Sequence, residues 1–172
     1  MSEGQSPEPW LRGTLTGVPA VPRAVLHALE LAKEDIERWY GGLSDEQLNA
    51  RPAGIAPMAF HIRHIARSID RLLTYAEGKQ LSNEQIAVLK TELDPNATRS
   101  ELFSELTAAL EKSSARIRAL DASRLDEPRK VGKKELPTTV GGLLVHVADH
   151  TQRHVGQAVT TAKIVRSSAM VL

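Results

Sequence analysis

The sequence contains no cysteine, which excludes disulfide bonds, thiolate metal ligands and a cysteine nucleophile from the chemistry that the chain supplies. Aromatic residues make up only 3% of the chain, too few for a surface on which single-stranded nucleic acid stacks. The 22 Lys and Arg residues balance 21 Asp and Glu residues, and the net charge is +1. Without a strongly charged surface we expect neither nucleic acid nor a membrane as a partner.

Long hydrophobic runs are also absent, since none approaches the roughly 18 residues of a membrane-spanning helix. The N-terminal residues lack the basic and apolar parts of a signal peptide, so we expect a cytoplasmic protein. The 172 residues match the size of one domain with a single core. Residues 1–21 are rich in Pro, Gly and Ser and predict an extended lead segment, with Trp10 as its candidate anchor. Residues 22–172 are predicted to form the domain.

Four segments of the domain repeat apolar residues at helical spacing. They run over about 22–42, 57–77, 101–120 and 139–166. Ser44 and Ser82 are predicted to cap two short helices between them, and Thr98 with Glu101 forms a capping box before the third long helix. No segment has the alternating pattern of a strand. The sequence therefore predicts an all-α fold, a four-helix bundle with long crossover connections and short extra helices in the loops.

The last long helix carries two histidines, His150 and His154, where its apolar repeat predicts core positions. The repeat predicts core positions at Val140, Leu143, Val147, His150, His154, Gln157, Thr161 and Ile164. Residues four apart lie on one helix face, so both rings can bind one ion. His146 lies at the flank of this face and is the weaker candidate. The alternative is a pair of core histidines that bond to each other, to water or to a neighbouring hydroxyl.

The second long helix offers a third ligand, because His61 and His64 lie three residues apart on it. Three protein ligands and one open position are typical of a catalytic metal site. The apolar arc of this helix is centred nearer His61 than His64, so helical periodicity favours His61 as the inward residue. A half-exposed surface histidine is the alternative for either position.

The segment HIRHIARSIDRLLTYAEG, taken with HVADHTQRHVGQ near the C-terminus, resembles the DinB/YfiT-like superfamily of metal-binding four-helix bundles over about residues 10–166. The resemblance implies an unusual helix order, a long crossover and often a homodimer. It also implies that the metal ligands are His64, His150 and His154. On the second long helix this choice conflicts with periodicity, which favours His61.

The activities implied by the resemblance include thiol S-transferases and isomerases that use low-molecular-weight thiols. Three neutral imidazoles would leave a divalent ion its full charge and an open position, which suits hydrolysis or thiol transfer. Zinc or nickel fits such ligands best, with iron or manganese next. We therefore expect a metal-dependent hydrolase or thiol S-transferase that acts on a small molecule. The sequence identifies no general acid or base for it. The alternative is a non-catalytic binding or structural module with a stabilising metal or a buried histidine cluster.

Other polar residues near these histidines receive plainer interpretations. Arg63, Arg67 and Arg71 form a row opposite the apolar arc and predict a solvated or dimer-contact face. Asp70 and Asp149 project away from the arc of their helices, which predicts solvent exposure or a supporting role. Gln157, one turn beyond His154, is the best polar neighbour of the predicted site.

Overall fold

The computed structural model describes residues 6–169. Within that range the chain forms six α-helices and one two-stranded antiparallel sheet. The elements in chain order are α1 (Ala20–Tyr40), α2 (Asp45–Asn49), α3 (Met58–Ala76), α4 (Asn83–Leu89), α5 (Arg99–Ala119), β1 (Pro128–Val131), β2 (Leu136–Thr139) and α6 (Val140–Ala169). Among these helices, none combines the length and the apolar composition that crossing a membrane requires.

The four long helices α1, α3, α5 and α6 pack into a bundle. Helix α6 lies between α1 and α3, and α5 contacts α3 and α1 on the other side. The consecutive long helices α1 and α3 are therefore diagonal partners, and the segment with α2 crosses between them. This arrangement confirms the predicted all-α bundle with crossover connections and short extra helices. It also makes α3 and α6 neighbours, although the chain separates them widely.

Three helices begin with a capping box, in which the cap side chain and the third helical residue bond to each other's backbone N–H groups. The pairs are Ser44 with Gln47, Ser82 with Gln85, and Thr98 with Glu101. Each box satisfies two backbone donors that would otherwise lack a partner at the helix start. The predicted caps of α2, α4 and α5 are thus confirmed.

The core of the bundle consists of aliphatic side chains from all four long helices. Its fully buried members include Leu29, Ile36, Ile62, Ile65, Ile69, Leu102, Leu106, Ile117, Leu144 and Val147. Along α6 the predicted repeat is correct as far as Val147, and beyond that residue it is fully buried only at Thr161. The buried positions there are Thr151, Val155, Ala158, Thr161, Ala162 and Val165. Gln157 and Ile164 are exposed, because a straight helix turns about 20° per heptad away from a seven-residue repeat.

The lead segment contacts the bundle through Arg12 and through Leu15 and Val18, which pack against the core, and not through its tryptophan. Trp10 is 60% exposed, so its predicted role as an anchor is wrong. Arg12 instead donates to both carboxylate oxygens of Glu34 at 2.6 and 2.8 Å and to Glu30 at 3.1 Å. Helix α1 begins at Ala20, slightly before the domain boundary predicted at residue 22. The division into a lead segment over 1–21 and a domain over 22–172 stays a prediction, and residues 1–5 and 170–172 lie outside the described range.

A hairpin occupies the connector before α6, where the sequence predicts no strand. Strands β1 and β2 pair antiparallel from Pro128 with Thr139 to Val131 with Leu136. Each strand has four residues and carries little alternation of apolar and polar side chains, so the pattern of a strand is missing from the sequence. The second strand leads directly into α6.

Candidate metal site

Helices α3 and α6 bring four histidines together between them. His61 and His64 come from α3, and His150 and His154 come from α6. The ring centroid of His64 lies 4.3 Å from that of His154 and 5.0 Å from that of His150. The rings of His150 and His154 are 4.6 Å apart. The two chain segments predicted to carry the site therefore meet at one place in the bundle.

Three of these histidines have the spacing that a shared ion requires. One ring nitrogen from each of His64, His150 and His154 lies within 4.8 Å of the other two. The Nε2 atoms of His64 and His150 are 3.3 Å apart. Two nitrogen ligands of a tetrahedral zinc ion, each about 2.1 Å from the metal, lie about 3.4 Å apart. The residues present thus fit a divalent cation, and the assignment of these three as its ligands stays a prediction.

The Nδ1 atoms of His64 and His150, here called their outer nitrogens, each lie within hydrogen-bond distance of another side chain. His64 Nδ1 lies 2.6 Å from Glu92 Oε2, and His150 Nδ1 lies 3.4 Å from Ser68 Oγ. Ser68 donates its own proton to the carbonyl of Ile65 at 3.2 Å, which leaves it free to accept from His150. If both rings carry their proton on Nδ1, two lone pairs on Nε2 face each other. A cation between them removes that repulsion.

His154 is engaged through its outer nitrogen as well. Its Nδ1 atom lies 3.0 Å from Nδ1 of His61, so one of the two rings donates and the other accepts. When His154 is the donor, its Nε2 keeps a free lone pair for an ion. His61 is 5% exposed, which agrees with the inward position that periodicity favours. His61 therefore lies beside the triad and contacts it through His154.

Burial and mutual repulsion keep three of the rings neutral. Loss of solvation, followed by the neighbouring imidazoles His154 and His64, lowers the pKa of His61 to about 4. The same causes lower the pKa of His150 and of His154 to about 4, and Arg153 adds to the effect on both. At neutral pH these rings carry lone pairs that can bind a metal, since protonated imidazole has no free lone pair.

Glu92 is a polar residue of the site that the sequence analysis missed. It lies in the turn after α4, is 5% exposed, and accepts from Arg71 Nη1 at 2.8 Å through its second oxygen. Burial opposes ionisation of Glu92, but hydrogen bonds from His64 and Arg71 outweigh it and lower the pKa of this carboxyl. A lone glutamate in an irregular crossover segment has no periodic signal in the sequence. The indirect signal was Arg71, a cation on α3 that needs an acceptor.

The arginine row of α3 is not the solvated or dimer-contact face that the sequence predicts. The three side chains reach across to the crossover segment and to α5. Their partners are the carbonyl of Asp94 for Arg63, the carboxylate of Glu105 for Arg67 and the carboxylate of Glu92 for Arg71. Helical periodicity could not reveal this, because the covering segment contributes its acceptors from irregular backbone.

The remaining candidates lie outside the cluster. The side chain of His146 is 47% exposed, and its Nδ1 is 3.7 Å from Asp149, so it keeps its rank as the weaker histidine. Asp149 also pairs with Arg153 on the exposed face of α6. Asp70 is held by Arg116 at 2.8 Å on the far side of α3. Asp149 is exposed, as the sequence predicts, and both aspartates form ion pairs with arginines.

An open depression of about 650 Å³ adjoins the cluster at His61. Its lining includes His61, Arg153, Gly156, Gln157 and Thr160. Gln157, predicted as a core neighbour of the site, is exposed here. On the α3 side Phe60 stacks on the ring of His64 with centroids 5.3 Å apart. The cluster thus has an aromatic ring on one side and a solvent-accessible depression with a few polar side chains nearby.

Comparison with known proteins gives a family and a fold. Residues 28–158 match the family model described as the DinB superfamily, a span that includes the three histidines of the triad. A solved structure, described as that of the conserved protein of locus from Enterococcus faecalis, has a TM-score of 0.71 and 22% sequence identity to this chain. The similarity covers 87% of this chain and 99% of that one. Among curated proteins, no sequence matches. Because the family match covers most of its length, the chain belongs to the DinB superfamily.

Proposed function

We propose that this protein is a divalent-metal-dependent enzyme, a hydrolase or a thiol S-transferase, that acts on a small molecule. His64, His150 and His154 are its metal ligands. Zinc or nickel is the expected ion, with iron or manganese next, because all three ligands are imidazoles.

The observation that carries this proposal is the convergence of three imidazoles whose outer nitrogens are engaged. Glu92, Ser68 and His61 contact the Nδ1 atoms, and the Nε2 atoms are free for an ion when each ring carries its proton on Nδ1. Histidines that bind metals in proteins commonly donate their other ring N–H to a carboxylate or another acceptor.

Three protein ligands leave room for water or substrate at the ion. A divalent ion held there would supply a Lewis acid that lowers the pKa of a coordinated water or thiol. The side chains of the chain itself bind and orient. Glu92 and Ser68 hold two of the imidazoles, and Phe60 covers one face of His64. The depression beside His61 offers Arg153, Gln157 and Thr160 as polar contacts for a small substrate.

Metal analysis of protein purified without chelator tests this proposal. The wild-type chain should contain close to one divalent ion per molecule, and a His150→Ala/His154→Ala variant should contain almost none. A His146→Ala variant is the matched control, since this residue lies on the same helix outside the triad. Equal metal content in the wild-type and double-variant proteins would refute the proposed site.

A non-catalytic module is the second candidate, and one contact favours it. His61 lies within hydrogen-bond distance of His154 and could close the metal site as a fourth side chain or complete a stabilising histidine cluster. Cobalt substitution distinguishes the two, because a His61→Ala variant should keep the absorption spectrum of an open three-histidine site if His61 is not a ligand. A changed ligand field in that variant would favour the module.

The proposal also covers the substrate, the cellular location and the oligomeric state of the protein. A low-molecular-weight thiol is the candidate substrate, the location is cytoplasmic and the assembly is a homodimer. Exposed apolar side chains such as Leu89, Leu93 and Val145 supply surface that a second copy could cover. Light scattering on the purified chain measures the assembly, and a monomer at micromolar concentration would contradict this part.

A further inference from the structure

We propose that Glu92 is the positioning residue of this site, which fixes His64 with its proton on Nδ1 and its Nε2 lone pair aimed at the metal. This inference rests on the proposed function for the identity of the site. It concerns a residue from a crossover segment outside the two histidine-bearing helices.

The contact between Glu92 and His64 has the geometry of a strong hydrogen bond. The Oε2 to Nδ1 distance is 2.6 Å, which is short for a bond between nitrogen and a carboxylate. The side chain of Glu92 is 6% exposed and that of His64 is 18% exposed, so water competes little for either partner. An acceptor-only group at this distance requires that His64 donates from Nδ1.

Arg71 determines the charge and the direction of Glu92. Its Nη1 atom donates to Oε1 at 2.8 Å, while Oε2 receives His64. An arginine is always charged in proteins, so it favours the carboxylate form in a buried place. The side chain of Arg71 is 12% exposed. Arg71 and Glu92 thereby form a buried ion pair. The ion pair fixes the other carboxylate oxygen of Glu92, Oε2, next to Nδ1 of His64.

The consequence for the site is geometric. His64 belongs to α3, whereas the other two ring nitrogens of the triad come from α6. Rotation of the His64 ring, or a shift of its proton to Nε2, would remove the only predicted ligand from α3. Carboxylates that orient a metal-binding histidine typically contribute 10-fold to 100-fold in metal affinity. The buried Glu92 carboxylate also places negative charge next to an otherwise uncharged ligand set.

The test compares Glu92 with a glutamate that makes the same kind of bond elsewhere. Glu105 accepts from Arg67 at 2.6 and 3.2 Å, and Arg67 lies one turn before Arg71 on α3. The variants are Glu92→Ala, Glu92→Gln and the matched control Glu105→Ala. Zinc affinity is measured by competition with a chromophoric chelator. The tautomer of His64 in the metal-free protein is measured by long-range ¹H–¹⁵N NMR of the imidazoles.

We expect zinc to bind 10-fold to 100-fold more weakly to Glu92→Ala than to the wild-type protein. Glu92→Gln should lie between them, because an amide oxygen still accepts but carries no charge. Glu105→Ala should keep the wild-type affinity. His64 should carry its proton on Nδ1 in the wild-type protein and lose this single tautomer in Glu92→Ala. A residue that only stabilises the fold would change the unfolding temperature without changing the tautomer.

Two results would overturn the inference. One is unchanged zinc affinity in both Glu92 variants, and the other is an unchanged His64 tautomer in Glu92→Ala, or in Glu92→Met, which has a similar length and no strong acceptor, if Glu92→Ala does not fold. Failure of the proposed function gives a different result. In that case the wild-type protein itself binds no zinc, whereas failure of the Glu92 inference alone leaves wild type and variants with the same measurable affinity.

Discussion

His61 and His154 place their Nδ1 atoms 3.0 Å apart although 93 residues separate them in the chain. The contact joins α3 to α6 between a buried ring and a half-buried one. Two neutral imidazoles can share one proton in this geometry, because one ring donates and the other accepts. Two imidazolium rings cannot, since both would donate. The contact therefore ties the packing of α3 against α6 to the protonation of the cluster.

This relationship predicts how the stability of the metal-free protein depends on pH. His61, His150 and His154 have pKa values of about 4 in the folded chain against an ordinary value of 6.5. Above pH 6.5 the rings are neutral in both states and their contribution is complete. Between pH 6.5 and 4 the unfolded chain binds protons that the folded chain does not, so stability falls. Each histidine contributes at most about 1.4 kcal/mol per pH unit to this loss.

Urea unfolding of chelator-treated protein between pH 7.5 and 4.5 measures the dependence. A His154→Asn variant should lose stability less steeply than the wild-type protein, because its cluster has one titrating ring fewer. His146→Asn serves as the control, since His146 lies on the exposed face of the same helix. The same slope in the wild-type and His154→Asn proteins would contradict the prediction.

Metal removal should lower the thermal stability of the wild-type protein. A ligand that binds only the folded state stabilises it by about 2.7 kcal/mol at a concentration 100 times its Kd. For a domain of this size that corresponds to an unfolding temperature higher by about 5 to 10 °C. We expect EDTA to abolish this increment in the wild-type protein and in His146→Ala. In His150→Ala, zinc should not raise the unfolding temperature. Scanning calorimetry measures this temperature, and a rise with zinc in that variant would show that His150 is not a ligand.

Much of the bundle could be predicted from the sequence, because the patterns that specify its helices involve residues close together in the chain. Capping boxes at Ser44, Ser82 and Thr98 and the apolar spacing of four segments are properties of neighbouring residues, and all of them appear in the structure. The hairpin before α6 was missed because its strands are short and polar. The repeat along α6 was extended too far, since a seven-residue period describes coiled coils better than a straight helix.

The histidines of the site were identified from their spacing, but their surroundings were not. Periodicity described His61 correctly as an inward residue, whereas the resemblance pointed to His64, and the structure brings both to the same cluster. Glu92 and the bond from Arg71 depend on how a crossover segment folds back over α3. Such contacts join distant residues through irregular backbone and leave no period in the sequence.

The position of the core on α6 predicts that substitution of two adjacent residues changes the stability of the protein by very different amounts. Leu144 is fully buried against the other helices, whereas Val145 is 59% exposed. Leu144→Ala should reduce the free energy of unfolding by about 2 to 5 kcal/mol, because it removes buried methyl groups and leaves a cavity. Val145→Ala should change it by less than about 0.5 kcal/mol. Urea unfolding with similar m-values measures both, and a large loss in Val145→Ala would show that α6 packs differently.

Two glycines of α6 give the last prediction, because their surroundings differ. A Cβ on Gly156 would meet no atom within 4 Å, whereas one on Gly141 would lie 3.1 Å from the carbonyl oxygen of Leu125. That carbonyl cannot move freely, since it accepts the N–H of Gly141 at 2.8 Å. In the interior of a helix alanine is more favourable than glycine, because glycine loses more conformational freedom when the chain folds.

Gly156→Ala should therefore stabilise the protein by about 0.5 to 1 kcal/mol. Gly141→Ala should destabilise it, because the connector that carries Leu125 must shift away from the first turn of α6. Thermal and urea unfolding of the two variants in the metal-free state measure the difference without interference from metal binding. Stabilisation by Gly141→Ala would mean that the connector does not hold its close contact with α6 in solution.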